Sequence, residues 1–123
     1  MEDTITQQLD DKDMECVDAL RKIGFGTCIA KTVVALVSSG KTQLELTGCI
    51  GENQSSVSIA LRKLVKADYV DVSELLHTEE KGRPKSLYTL KSWDDIVDKI
   101  EKEIIRKFKK KTSEINRLKE LSE

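Results

Sequence analysis

The sequence predicts a mainly α fold with a small β component (α+β), in which four helices precede a β-hairpin and one long helix follows it. Apolar residues recur every three or four positions over most of the 123 residues, which is the helical period. The period changes to strand-like alternation only between about residues 69 and 90. Charged residues make up 35% of the chain and aromatic residues only 4%, a composition typical of small proteins with long solvated helices.

The length predicts one domain with an appendage, divided into three regions. We expect a polar, frayed N-terminus over 1–10, a folded domain over 11–91 and a C-terminal helix over 92–123. The first helix is expected over 11–23, ended by Gly24. Thr27 is expected to cap a second helix that stops at Ser38-Ser39-Gly40. The predicted apolar positions of these two helices are Met14, Val17, Leu20, Ile29, Val33, Leu36 and Val37.

Two further helices are predicted from their caps. Thr42 and Glu45 have the spacing of a capping box, so a short helix is expected over about 43–49, after a link at Lys41-Thr42 that could form a one- or two-residue strand. Gly48 and Gly51 bracket the following turn, and Asn53 is expected to cap a helix over 54–66. The apolar positions of these helices are Leu44, Leu46, Val57, Ala60, Leu61, Leu64 and Val65.

A hairpin and a long helix complete the predicted order. The segments 69–72 and 86–90 are strand-like, and the polar, basic-ended stretch 78–85 between them is expected to be the tip of the hairpin. Ser92 is expected to cap a final helix of about 28 residues, or about 42 Å.

The run from Lys41 to Leu90 resembles a known group of proteins. Its carrying residues are Leu44-x-Leu46-x₃-Ile50-Gly51-x-Asn53-Gln54-Ser55-Ser56-Val57-Ser58-x₂-Leu61-x₂-Leu64, then Tyr69-Val70, and finally Lys81-Gly82-Arg83-Pro84-Lys85-x₂-Tyr88-x-Leu90. This pattern resembles the winged-helix transcription regulators of bacteria and archaea, in the MarR, ArsR and TrmB-like group. The resemblance implies a winged helix-turn-helix with a long C-terminal dimerisation helix, which binds double-stranded DNA as a homodimer.

Short polar side chains at the start of helix 54–66 are suited to reading base edges in the major groove. The hairpin tip over 78–85, which is called the wing in this group, carries cations suited to the backbone or a minor groove. Ile59 departs from the group, which often has a basic or polar residue there. The candidate DNA-binding residues are Thr42, Asn53, Gln54, Ser55, Ser56, Ser58, Ile59, Arg62, Lys81, Arg83 and Lys85.

The final helix carries an apolar stripe that a domain of this size cannot cover alone, so a second copy of the same helix is the expected partner. The basic cluster over 106–111 has three open interpretations: a solvated face, a second phosphate-contacting patch, or a contact with a partner protein. The candidate dimer residues are Trp93, Val97, Ile100, Ile104, Phe108, Ile115 and Leu118.

Several classes of protein are disfavoured. The chain has no apolar run of membrane-spanning length and an acidic start unlike a signal peptide, so we expect a cytoplasmic protein without a membrane partner. The motifs of catalytic, cofactor and metal sites are missing, so we expect no enzyme, no cofactor and no metal, and no small-molecule effector is identified. Cys16, Cys28 and Cys49 are expected to be buried thiols, with a redox switch as the alternative. The alternative function is a winged-helix module that binds protein and uses its C-terminal helix as a coiled coil.

The net charge of −1 conceals a gradient along the chain. Residues 1–20 have seven acids and one base, whereas residues 21–91 have eleven bases and seven acids. The middle of the chain can therefore still face a polyanion.

Overall fold

The computed structural model describes residues 8–75 and 85–122, and the order of elements is the predicted one. The chain divides into two compact units, Met1–Lys91 and Ser92–Glu123. The elements are α1 (Asp11–Ile23), α2 (Thr27–Ser38), α3 (Gln43–Ile50), α4 (Gln54–Lys66), β1 (Val70–Leu75), β2 (Lys85–Leu90) and α5 (Trp93–Leu121).

The ends of α1 follow local signals. Asp10 and Asp13 form a capping box, in which the Asp13 backbone N–H donates to Asp10 Oδ1 at 2.8 Å and the Asp10 N–H donates to Asp13 Oδ2 at 3.0 Å. Gly24 ends the helix at φ 131°, as predicted. The predicted cap of α2 is wrong, because Thr27 is its first helical residue and Gly26 is the N-cap, with no side-chain hydrogen bond.

The first unit has its core between α1, α2, α3 and α4. Four predicted apolar positions lie outside it: Met14 is 42% exposed, Val37 51%, Leu44 63% and Val65 37%. A surface helix needs only one apolar face to pack on the core, so apolar residues on its other faces stay exposed. The apolar residues that fill the core from these helices are Val17, Leu20, Ala30, Val33, Val34, Ala35, Leu36, Leu46, Cys49, Ile50, Val57, Ala60, Leu61 and Leu64.

Lys41 and Lys31 stabilise the position of α2 through hydrogen bonds and an ion pair. The Lys41 ammonium donates to the Ala35 carbonyl at 2.8 Å and to the Ser39 carbonyl at 3.3 Å, which satisfies acceptors at the C-terminal end of the helix. Lys31 pairs with Glu52 at 3.3 Å and so ties α2 to the turn between α3 and α4. This pair is half-buried, so solvent screens it less than a pair at the surface.

The hairpin pairs β1 with β2 in antiparallel register, from Val70 opposite Leu90 to Leu75 opposite Lys85. The first strand begins one residue later than predicted and runs three residues further. Lys41 adds a one-residue bridge to Tyr88, with both backbone hydrogen bonds at 2.9 Å. The predicted tip, 78–85, lies outside the described residues apart from Lys85.

The second unit is the helix α5, which is 29 residues long and spans about 44 Å. Ser92 is its N-cap by position, but its side chain makes no cap hydrogen bond, contrary to the prediction. Ile96 and Ile100 are buried, whereas every residue from 101 to 122 is exposed. Within the described part of the chain, no helix is long and apolar enough to cross a membrane.

Candidate nucleic-acid interface

The start of α3 is fixed by the predicted capping box. Thr42 Oγ1 accepts from the Glu45 N–H at 3.3 Å, and the Thr42 N–H donates to Glu45 Oε1 at 2.9 Å. Gly51 closes the helix in the left-handed region, at φ 71°, where a residue with a Cβ would be strained. The chain therefore turns sharply from α3 into α4.

The start of α4 is fixed by Asn53, as predicted. Its Oδ1 accepts from the Ser56 N–H at 2.8 Å. This hydrogen bond occupies one helix N–H and commits one side of the Asn53 amide to the cap. The remaining N–H groups of the first turn point out of the helix end, which is the geometry that binds phosphate oxygens.

The outward face of α4 is mainly hydrophilic. Ser55, Arg62 and Lys66 are exposed and Ser58 is half-buried, whereas the opposite face supplies the core. Ile59 is the apolar member of the outward face and is 49% exposed. The contact of these side chains with DNA stays a prediction.

Three adjoining grooves surround this face. The first has a volume of about 450 Å³ and lies along the start of α4, and the second, of about 390 Å³, lies between α4 and the hairpin. The third, of about 350 Å³, joins the starts of α3 and α4 to β2. The first groove is lined by Gln43, Gln54, Ser55, Ser58, Ile59 and Arg62. The second is lined by Ser58, Leu61, Arg62, Val65, Lys66, Val72 and Tyr88. The third is lined by Thr42, Gln43, Leu44, Gln54, Lys85, Ser86 and Tyr88.

The grooves bring together most of the predicted residues. Arg62 lines two of them, the groove along the start of α4 and the groove between α4 and the hairpin. Lys85, at the first position of β2, shares a groove with Thr42 and Gln54. Asn53 and Ser56 line none of the three and act in the cap, while Lys81 and Arg83 lie outside the described residues.

Gln43 is a site residue that the sequence reasoning missed. Its Nε2 donates to the Gln54 carbonyl at 3.2 Å, and its side chain lines both grooves at the start of α4. This bond joins the first residues of two helices across the turn. The position directly after the Thr42 cap was the available signal, because the start of α3 has to approach the start of α4 when the turn is short.

The seven candidate dimer residues divide by exposure into two that are buried or half-buried and five that are exposed. Ile100 is buried in a single chain and Trp93 is half-buried, so little of these side chains is left for a second copy. Val97 is 45% exposed, although Ile96, one residue earlier, is buried. The other four are exposed and lie along one line of α5; we call Ile104, Phe108, Ile115 and Leu118 the apolar seam.

Cys49 is buried as expected, whereas Cys16 and Cys28 are only half-buried, contrary to the prediction, and all three have the environment of unreactive thiols. Burial raises the pKa of the Cys16, Cys28 and Cys49 thiols, and Asp13 or Glu52 raises it further. A redox switch needs a lowered pKa and exposure, so this environment argues against the redox alternative. Among the described residues, no group of three or more potential ligand side chains could hold a metal ion. His77 lies outside these residues.

No protein-family model matches the chain, and neither does any curated protein. Solved structures are similar to it. A possible transcriptional regulator from Methanosarcina mazei Go1 matches with a TM-score of 0.66 and 12% identity, over 91% of this chain and 97% of that one. The archaeal chromatin protein TrmBL2, whose structure shows a novel mode of DNA binding, matches with a TM-score of 0.72 and 18% identity.

The fold is a winged helix. The predicted fold class is confirmed by these similarities together with the helices, the two-stranded sheet and the long last helix. The match covers 88% of this chain and 40% of TrmBL2. The similarity to TrmBL2 concerns the fold, and membership of the MarR, ArsR or TrmB-like group stays a prediction.

Proposed function

We propose that the protein is a sequence-specific DNA-binding transcriptional regulator, with α4 in the major groove and the wing over 78–85 on the backbone or in the minor groove. The observation that carries the proposal is the outward face of α4, where Gln54, Ser55 and Arg62 line one open groove. Gln54 and Ser55 can donate and accept hydrogen bonds at base edges, and Arg62 can donate them. The two similar structures support it, since one is described as a possible regulator and the other as a DNA-binding chromatin protein.

The regulator acts as a homodimer through α5. The apolar seam is exposed in a single chain, and two copies of a helix that carries such a seam bury it against each other. Two chains related by a two-fold axis bind two half-sites related by the same axis, so the preferred DNA sequence is an inverted repeat.

The test is selection of bound sequences from random duplex DNA, followed by variants of α4. Arg62→Ala is expected to weaken binding to the selected sequence by about 1–3 kcal/mol and to relax one base position. The matched control is Lys63→Ala, which removes an exposed cation one residue away that lines none of the three grooves. Recovery of no preferred sequence, or equal losses for the two variants, contradicts the proposal.

One observation favours the second candidate, a winged helix that binds protein. Leu44 at the start of α3 and Ile59 in the middle of α4 are large apolar residues that are exposed, and buried apolar anchors stabilise protein interfaces. Leu44→Ser separates the two functions, since Leu44 is exposed and is not one of the candidate DNA-binding residues. It leaves phosphate contacts intact and changes DNA affinity little, but it abolishes binding to a protein partner that uses this surface.

A further inference from the structure

The polar face of α5 carries a line of cations that the proposed function leaves without a role. At about 100° per residue, six basic residues fall in an arc of about 100° on the side opposite the apolar seam. The spacing is mostly three or four residues, so the cations follow one another along about 27 Å of helix. We call Lys99, Lys102, Arg106, Lys109, Lys110 and Arg117 the basic stripe.

The stripe is only partly neutralised by its own helix. Lys102 pairs with Asp98 at 3.0 Å and Arg106 pairs with Glu103 at 3.0 Å, both at exposed positions that salt screens. Between Glu103 and Glu114 the sequence has five bases and no acid. Within residues 8–75 and 85–122, no ion pair involves Lys109 or Lys110. The middle of the stripe is therefore the most positive part of the helix surface.

The chemistry of this face selects the kind of partner. The arc of the stripe contains no apolar residue, so a protein partner that needs apolar anchors and a membrane that needs an inserted apolar face both fit poorly. The seam on the other side is interrupted by Lys107 and Lys111, which also disfavours insertion into a bilayer. A hydrophilic, evenly charged polyanion fits, because a DNA strand presents a phosphate every 3.4 Å or so of its axis.

We propose that the basic stripe is a second DNA-binding surface, which contacts the phosphate backbone without reading sequence. The inference rests on the proposed function in one respect, since DNA is the polyanion that the winged helix brings to the chain. In a pair of chains joined through the apolar seam, both stripes face outward and stay accessible. The stripe raises the affinity for any duplex and adds to the salt dependence of binding.

The test compares two double variants of the full chain on a random-sequence duplex of about 40 base pairs, long enough to extend beyond one winged helix. K109Q/K110Q removes two cations from the stripe, and the control K12Q/K22Q removes two exposed cations from α1, outside both the stripe and the seam. Lysine and glutamine have similar helix propensities, so circular dichroism is expected to show equal helicity. Both variants also have the same net charge, so only the position of the lost charges differs.

The stripe variant is expected to bind at least about tenfold more weakly at 0.1 M salt, with a log K against log salt slope shallower by about 2 per bound chain. The control is expected to stay within about twofold of the parent, and K109R/K110R is expected to restore binding, since both keep the cations of the stripe. Equal losses in the stripe variant and the control overturn the proposal, as does no loss in the stripe variant.

Two further measurements distinguish this proposal from the proposed function and from binding to a membrane. If the parent selects no sequence and Arg62→Ala changes nothing, the proposed function fails, while the stripe is still measured on the random duplex. Vesicles of phosphatidylcholine and phosphatidylserine are expected to show no binding. Vesicle binding that K109Q/K110Q abolishes while DNA binding is unchanged overturns the proposal in favour of a membrane surface.

Discussion

At the scale of single residues, Asp68 has the least usual backbone of the described chain. Its φ is 70°, and Gly24 and Gly51 are the other described residues with positive φ. Asp is among the few residues with a Cβ that visit this region, and other side chains cost about 1–2 kcal/mol there. Asp68→Ala is therefore expected to unfold more easily than Asp68→Gly by about 1 kcal/mol, measured by urea unfolding. Because both variants lack the carboxylate, equal stabilities would mean that the backbone is not strained.

The ion pair between Asp68 and Lys91 predicts that the free energy of unfolding depends on pH. The Asp68 carboxylate accepts from Lys91 Nζ at 2.6 Å, and this hydrogen bond, with Asp71 nearby, raises the pKa of Lys91 above its usual value. Because the pKa of Lys91 is higher in the folded state than in the unfolded state, the protonated lysine stabilises the fold. This stabilisation is complete below the unfolded-state pKa of about 10.4 and is lost as the pH rises through the folded-state pKa. Asp68→Asn tolerates the backbone but lacks the charge. Its stability deficit relative to the parent is expected at pH 8 and is expected to shrink above about pH 10.4.

The three thiols make a kinetic prediction. Since burial raises the pKa of each thiol, less thiolate is present at neutral pH than in a free cysteine. Alkylation by iodoacetamide at pH 7.5 is expected to be slower for Cys16, Cys28 and Cys49 than for cysteine in a short peptide, with buried Cys49 slowest. Mass spectrometry of the tryptic peptides measures each site. Faster alkylation at any one of them would restore the redox alternative at that residue.

At the scale of elements, the hairpin is held to the helices at Gly40. A Cβ built there would lie 2.6 Å from Thr89 Cγ2 and 3.1 Å from the Tyr88 carbonyl oxygen. The close approach lets Lys41 form its bridge to Tyr88. Gly40→Ala is expected to lower the free energy of unfolding by about 1–3 kcal/mol through overpacking.

The clash at Gly40 has a specific remedy. Thr89→Ser removes the Cγ2 atom that the new Cβ meets first. The double variant Gly40→Ala/Thr89→Ser is therefore expected to recover part of the loss. Equal stability of Gly40→Ala and the parent would show that β2 moves away without cost.

Elements and caps were predictable where their signals act within a few residues. Thr42 with Glu45 and Asn53 with Ser56 are contacts three residues apart, so the bounds of α3 and α4 could be derived from the sequence. Burial was harder, because Leu44 and Leu46 are both apolar and only the tertiary position of α3 decides that Leu46 is the one inside. The contact of Gln43 with Gln54 joins residues eleven apart, so the position of Gln43 directly after the Thr42 cap was the one indication of it in the sequence.

At the scale of the whole molecule, the apolar seam and the DNA-binding face are predicted to be coupled. With about three phosphate contacts per chain, a dimer has a log K against log salt slope near −5, and a single chain has about half of it. Substituting Phe108→Ser and Ile115→Ser together removes exposed apolar side chains from the seam and touches no groove. Light scattering is expected to show a monomer, and the salt slope on the selected inverted repeat is expected to halve.

The control for this coupling is Asn116→Ser, an exposed change away from the seam on the same helix, which is expected to leave both mass and slope unchanged. A DNA containing one half-site separates assembly from folding. If the Phe108→Ser/Ile115→Ser variant is folded, it binds the half-site about as well as one subunit of the parent dimer does, because α4 and its caps are unchanged. A seam variant that stays dimeric, or a monomer that keeps the full slope, would show that the second set of contacts does not come from a second chain.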